Sequence, residues 1–372
     1  MNVLVVNAGG VTLELSVIDD SGACVANREI DPWDGHGTDA ITAFVDDAPD
    51  IDAIGHRVVH GGTELTAPTM IDAHVEELIE AASTMAPLHQ DRILLGIHAT
   101  QRLFPGRPNV ACFDTAFHTT MPEATYTYAL PAAWRDRWPL HRLGFHGSSH
   151  AHVAAVAGSI ARGDSSARTG RAARRIVSCH LGSGASLCAI LDGRSVDTTM
   201  GLTPLEGLVM GTRSGSVDPG LILWLIERAG LDPAEVEHGL YHDSGLVGLA
   251  GGSGDMREVV ERRDAGDAAA RLAFDVYIHR LRREIAAMTG ALGGIDILAF
   301  TGGVGQYMAA VRAAAADGLG YLEIEIDPAR NEVAEADADI GAGTASTACI
   351  VVTSGEAIEI AAATRRTVDA RT

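Results

Sequence analysis

The chain has no lysine: all 28 of its basic residues other than histidine are arginine. That excludes the Walker phosphate loop, GxxxxGK[ST], in which a lysine reaches the phosphates. Any phosphate chemistry here runs on arginine, histidine, backbone N–H groups and a metal. Cysteine is scarce too. Cys24, Cys112, Cys179, Cys188 and Cys349 form no CxxC pair and no even framework, which argues against a zinc site and for a reducing compartment. No apolar run approaches the ~18 residues that cross a bilayer. The opening MNVLVVNAGG lacks the basic flank and cleavage site of a signal peptide. A cytoplasmic protein without a membrane partner is expected. Positive charge is in deficit, and a net charge of -21 repels phosphate backbones, so no nucleic-acid partner is expected.

What the chain does have is length, glycine and an internal repeat. Its 372 residues exceed one comfortable core and predict two domains. The stretch VLVVNAGGVTLELSVIDDSG near the start reads as strand, glycine-rich turn, strand, and IVSCHLGSGASLCAILDGRS from 176 repeats the theme. A third glycine turn follows an apolar strand at ILAFTGGVGQY, 297–307. Helices are predicted over Ala73–Thr84, His89–Leu103, Ser149–Ile160, Pro219–Ala229, Ala268–Leu292 and Gln306–Ala316. Strands alternating with helices imply α/β layers, and two strand–glycine–strand openings imply two related domains facing a shared cleft. The polar stretch 161–175 is the most loop-like segment.

A glycine turn lets backbone N–H groups approach an anion, although any single one also serves as an ordinary hairpin. Three of them at strand ends point to a phosphate cradle, and none matches the GxGxxG dinucleotide fingerprint. Polar residues cluster near such ends. Arg57 and His60 lie in the apolar GHRVVHGG; the arginine meets either a structural carboxylate or an anionic ligand. VACFDTAFHTTMP ends a strand in Asp114, a catalytic placement and equally a turn cap. GFHGSSH brings His146 and His150 to a helix start, Arg213 stands between glycines in MGTRSGSVDPG, and His180 lies in CHLGSG. Two arginines, a histidine and a carboxylate beside glycine turns are the inventory that phosphoryl transfer needs.

At these residues the sequence resembles the acetate kinase family, within the sugar kinase, Hsp70 and actin superfamily. The likeness runs nearly end to end through VNAG, GHRVVHGG, APLH, FDTAFHTTMP, GFHGSSH, CHLGSGAS, TPLEGLVMGTRSGSVDP, SGLVGLAGGSGDMR, FTGGVG and GEAIEIA. It implies a two-domain, actin-like α/β fold with duplicated ribonuclease H-like domains and a central cleft. Residues 1–147 would form the first lobe, with a C-terminal helix at about 357–372 packing back on it, and 148–356 the nucleotide-binding lobe. The implied activity is reversible phosphoryl transfer from ATP to acetate, giving acetyl phosphate and ADP, with Mg2+ (or Mn2+) and a homodimer.

The resemblance also implies roles. Asn7 and Glu356 would serve the metal. Arg57 and Arg213 would clamp the carboxylate and phosphoryl group, His146 would steady the transition state, and Asp114 would be catalytic. Arg57, Val59, Leu88, Phe145 and Pro204 would hold the acid. Nucleotide contacts would come from His180, Leu181, Gly182, Ser183 and Gly184, from Asp255, Met256 and Arg257, and from Gly303, Val304, Gly305, Gln306 and Tyr307. Two departures bear on the nucleotide: Glu14 stands where the family has lysine, and Gln306-Tyr307 replaces Glu-Asn; a third, Gly355 in place of the first of two acids, bears on which residue serves the metal. They keep open a propionate or short-chain acyl kinase, another phosphoryl donor, or a divergent member of low activity.

Overall fold

The computed structural model describes residues 1–8, 12–33, 39–85, 90–160, 174–334 and 337–371. The chain divides into two compact units, one of Met1–Thr119, Leu130–His152 and Gly355–Thr372, the other of Thr120–Ala129 and Val153–Ser354.

The first unit is built on six strands: β1 (Val3–Asn7), β2 (Leu13–Ile18), β3 (Cys24–Ile30), β4 (Ala53–Val58), β5 (Thr69–Met70) and β6 (Asn109–Phe113). They lie in the order β3-β2-β1-β4-β6-β5. β1, β4 and β6 are parallel neighbours, and β1, β2 and β3 form an antiparallel meander. Side chains alternate across the central strands, so one strand feeds two cores. Leu4 and Val6 join Leu15, Ile41, Phe44 and Ala99 on one face. Val3 and Val5 join Val110, Cys112, Ile360 and Ala363 on the other.

The second face is covered by the helix Glu356–Asp369. Its Arg365 donates through Nη2 to Ile18 O at 2.8 Å and through Nε to Met1 O at 3.1 Å. Gly55 of β4 makes the close approach feasible, because a Cβ there would overlap Thr364 Oγ1 and Ile360 Cγ2.

The second unit repeats this plan with β7 (Arg175–Leu181), β8 (Ala185–Leu191), β9 (Arg194–Thr198), β10 (Ile297–Thr301), β11 (Ala338–Asp339) and β12 (Ala348–Val351). Their order, β11-β12-β10-β7-β8-β9, is the first sheet's strand for strand and in the same chain order. β7, β10 and β12 are the parallel core, and β7, β8 and β9 the meander. The repeat seen in the sequence is thus the β1–β2 and β7–β8 hairpins.

The helix Ala268–Leu292 has the expected bounds, capped by the Asp267 side chain on Ala269 N and Ala270 N and stopped by Gly293 at φ 66°. Ala270, Ala273, Tyr277, Leu281, Ile285 and Met288 make its buried stripe. One expectation is corrected. In place of a continuous helix over Gln306–Ala316 there are two, Gly302–Tyr307 and Ala309–Ala316, separated at Met308 (φ -105°, ψ 84°). The helix expected from Ser149 begins at Gly147, whose N–H donates to Asp114 O at 3.0 Å. Residues 161–173 of the loop-like stretch lie outside the described residues. Arg174 and Arg175 beyond them pair with Asp192 and Asp296.

Candidate functional site

Parallel strands deliver their carboxyl ends to one edge of a sheet, where α/β folds place ligands. In the first unit that edge carries Asn7 at the end of β1, Arg57 in β4 and Asp114 just after β6. Arg57 closes on Asp114 as a two-pronged fork, Nε to Oδ1 at 3.0 Å and Nη2 to Oδ2 at 2.7 Å. Its Nη1 lies 3.4 Å from Asn7 Oδ1 and 3.7 Å from Glu356 Oε2, so these two oxygens converge on one nitrogen. Glu356 is the first residue of its helix, and its side chain settles which acid of that segment faces the arginine. Burial works against the Arg57 charge, but Asp114 and Glu356 outweigh it and hold the guanidinium more firmly protonated than usual. Burial raises the Asp114 carboxyl above the ordinary range; Arg57 opposes that shift and Glu356 adds to it.

Glu14 belongs to this cluster. The β1–β2 register sets it directly opposite Asn7, and Asn7 Nδ2 donates to Glu14 Oε2 at 2.9 Å. Glu14 therefore fixes which way the Asn7 carboxamide faces, with its oxygen toward Arg57.

The segment Phe145-His146-Gly147 is moored to Asp114 through the Gly147 N–H. A Cβ on Gly147 would collide with Asp114 O, so the glycine sets how closely the two loops meet. His146 adopts φ 56°, a left-handed conformation that a non-glycine residue holds only when its surroundings impose it. His118 Nε2 bonds Phe145 O at 2.9 Å, and His60 stacks at a tilt on the Phe145 ring, 5.5 Å between centroids. Gly62 N donates to His60 Nδ1 at 2.9 Å, which leaves any ring proton on Nε2. Burial lowers His118 to about 4, so this ring is neutral at pH 7. Val59 and Phe145, expected in the acid pocket, are both buried in this unit. Leu88 lies outside the described residues.

In the second unit, Arg213 donates through Nη1 to Pro204 O at 2.7 Å. No carboxylate pairs with Arg213 among the described residues, and burial lowers it to about 10, still a cation at pH 7. The three segments expected to touch nucleotide come together here. The turn after β7 closes with Gly182 N on Gly184 O at 2.9 Å, and Ser183 O accepts from Gly211 N at 3.1 Å. Gly254, just before Asp255, backs onto Gly211 O, and Gly302 (φ 77°) backs onto the Leu181 carbonyl. His180 pairs in register with Thr301. Asp255 caps the helix that starts at Met256, accepting from Arg257 N at 2.8 Å, and also pairs with the exposed Arg257 guanidinium. Val304 is half-buried, Gly305 and Gln306 are buried, and Tyr307 is 71% exposed, leaving its ring available to a ligand.

The motifs thus gather Asn7, Arg57, Asp114, Phe145, His146 and Glu356 in one unit, and Pro204, Arg213 and the glycine turns in the other. Motif scanning missed the Glu14–Asn7 bond, which needs the hairpin register. It also missed Arg312, treated below, whose one signal was a lone charge in AAVRAAAA.

Comparison with known proteins agrees with this architecture. The acetokinase family model matches residues 38–362. The chain belongs to the acetokinase family. It is 45% identical over 331 residues to an acetate kinase of Synechococcus sp., covering 89% of this chain and 79% of that one. It is likewise 45% identical over 357 residues to an acetate kinase of Streptomyces avermitilis, covering 95% and 84%. Among solved structures it resembles Porphyromonas gingivalis acetate kinase (TM-score 0.88, 33% identity, 99% of each chain). A propionate kinase from Francisella tularensis is as similar (TM-score 0.89, 32% identity, 98% and 99%). Family membership makes the chain a phosphotransferase acting on a carboxyl group, with the duplicated α/β fold of these kinases.

Proposed function

We propose that the chain is an acetate kinase, moving the γ-phosphoryl group of ATP reversibly to acetate to give acetyl phosphate and ADP. The observation that carries this most directly is the Arg57–Asp114 fork at the carboxyl ends of parallel strands, with Asn7 and Glu356 oxygens converging on Arg57. Arg57 offers paired donors to carboxylate or phosphoryl oxygens. Arg213, a half-buried cation with no carboxylate pairing it among the described residues, is suited to the transferring group, whose charge grows on its outer oxygens. His146 steadies that charge, and Asp114 orients Arg57 and the attacking carboxylate. Val59 and Phe145 supply apolar wall for the short alkyl group, with Pro204 and Leu88 as further members. His180–Gly184, Asp255–Arg257 and Gly303–Tyr307 are the proposed nucleotide contacts.

Mg2+ fits the residues present. Asn7 Oδ1 and Glu356 Oε2 are hard oxygen donors close enough together that both face Arg57 Nη1, at 3.4 and 3.7 Å. An ion held by these one or two protein oxygens would complete its shell with phosphate oxygens and water. When bound, it would neutralise phosphate charge.

Two further assignments accompany this reading. A homodimer is supported by the helix Pro219–Glu227, PGLILWLIE, which buries none of its residues and leaves Leu223 58% and Trp224 55% exposed. An apolar helix of this kind asks for a self-complementary partner surface. Cytoplasmic residence is supported by five free cysteines, four of them buried. No helix among the described residues is long and apolar enough to cross a membrane.

Purified protein with Mg-ATP and acetate, propionate or butyrate, trapped with hydroxylamine, tests the activity. Acetohydroxamate is expected, and none with any acid overturns the proposal. A second reading concerns the donor, because Glu14 puts negative charge beside Asn7 and Tyr307 stands exposed at the third glycine turn. A donor panel at fixed acetate, including other nucleotides and polyphosphate, separates it from the first.

A further inference from the structure

The helix Ala309–Ala316 reads AAVRAAAA, and its one charged side chain points inward. Arg312 is 1% exposed and is the largest of the fully buried side chains among the described residues. A guanidinium there is tolerated only if its donors are met. They are met by neutral oxygens. Nη1 donates to Gly305 O at 3.0 Å and Gln306 O at 2.7 Å, Nε to Asn331 Oδ1 at 2.8 Å, and Nη2 to Asn331 O at 2.7 Å. Asn331 is itself buried and returns Nδ2 to Ala309 O at 2.9 Å. Asp327 caps the short helix that carries Asn331, accepting from Ala329 N and Arg330 N.

Two of these acceptors explain the helix break at Met308. A helix leaves its last four carbonyls without internal partners. In Gly302–Tyr307 the Val304 carbonyl takes Met308 N at 3.1 Å, and the next two carbonyls, Gly305 and Gln306, face Arg312. The guanidinium therefore acts as a C-cap supplied from the following helix, a cation where the backbone dipole favours one. Without it both carbonyls lose this donor, and the cheapest repair is the continuous helix that the sequence pattern alone favours. The break leaves Gly303 facing open space, with nothing within 4 Å of an added Cβ, and Tyr307 exposed.

We propose that Arg312 is a positioning residue for the nucleotide: by capping Gly305 and Gln306 it holds Gly303–Tyr307 in the broken conformation that receives the donor. This rests on the assignment of Gly303–Tyr307 to the nucleotide, so the experiment tests both. Steady-state kinetics and ADP calorimetry are measured on Arg312→Met, Arg312→Lys and Gly303→Leu, with folding checked by thermal denaturation. The Cβ of Gly303→Leu meets no protein atom, and the variant should raise the nucleotide KM by filling the space; if it does not, the nucleotide assignment falls, and this inference with it.

If Gly303→Leu acts, Arg312→Met is expected to raise the nucleotide KM and weaken ADP binding by roughly tenfold or more, with the acetate KM unchanged. Arg312→Lys, which keeps the charge but not the fork, should give a smaller rise and stands in should the Met variant not fold. An unchanged nucleotide KM in folded Arg312 variants overturns the inference. So does a parallel loss of both KM values and kcat, the signature of a merely structural residue.

Discussion

Asp114 receives Arg57 through two parallel hydrogen bonds, from Nε at 3.0 Å and Nη2 at 2.7 Å, with the carboxylate 1% exposed. Such a pair contributes less to stability than its removal by halves suggests, because each partner alone is a buried uncompensated charge. Arg57→Met and Asp114→Leu should each lower unfolding free energy by about 3–5 kcal/mol, and the double variant should recover a good part of that loss. Urea unfolding of the four proteins checks the cycle. None of the three variants should form acyl phosphate.

Glu14 puts a negative charge beside Asn7. Glu14→Lys reverses that charge and should lower the ATP KM by about tenfold, the equivalent of about 1.4 kcal/mol after solvent screening. The acetate KM should not move. Glu14→Gln, which keeps a hydrogen-bonding oxygen for Asn7, should fall between. An ATP KM unchanged in Glu14→Lys would place the donor phosphates away from Asn7.

Two buried histidines make the fold acid-sensitive. Burial lowers His56 and His118 from 6.5 to about 4. Between those values the unfolded chain binds protons that the folded chain refuses, so stability present above pH 6.5 is lost as pH falls toward 4. Each histidine should remove about 1.4 kcal/mol per pH unit across that window, on the order of 3 kcal/mol apiece. Urea denaturation from pH 7 to pH 4.5 reads the slope. His118→Asn, which keeps a donor for Phe145 O, should reduce it by about one proton.

Gly355 and His152 are matched in size. A Cβ at Gly355 would overlap the His152 ring, which lies at the start of the helix carrying Glu356. The Gly355 backbone is at φ -126°, so any penalty for a side chain there is steric. Gly355→Ala should cost about 1–3 kcal/mol. His152→Ala in the same chain should restore most of it by making room. A Gly355→Ala protein that melts with the wild type would show that the ring moves aside freely.

The parts of the site that were legible in the sequence are those written in local pattern. VLVV and ILAF announce buried strands by composition, the glycines mark where they turn, and Arg57 stands out because an apolar strand has no other reason to hold it. Duplication was legible for the same cause: each meander repeats its own hydrophobic alternation.

What was hidden depends on distance along the chain. Glu14 acquires its role only from the register that sets it across from Asn7. Asn331 and Arg312 meet only after the chain has turned twice, and their bonds overrule the helical propensity of an alanine-rich segment. Glu356 is far from Arg57 in sequence, and nothing local shows that it, rather than a neighbouring acid, faces the guanidinium.

The helix Glu356–Asp369 sets an order on synthesis. The ribosome releases β1, β4 and β6 early, yet the layer that covers Val3, Val5, Val110 and Cys112 arrives only after the whole second unit has been made. The unit begun first is therefore completed second, and during that interval an apolar sheet face waits uncovered, the kind of surface that chaperones shield. Because Glu356 travels with the same helix, a nascent chain has no complete carboxylate–arginine cluster until its fold is closed.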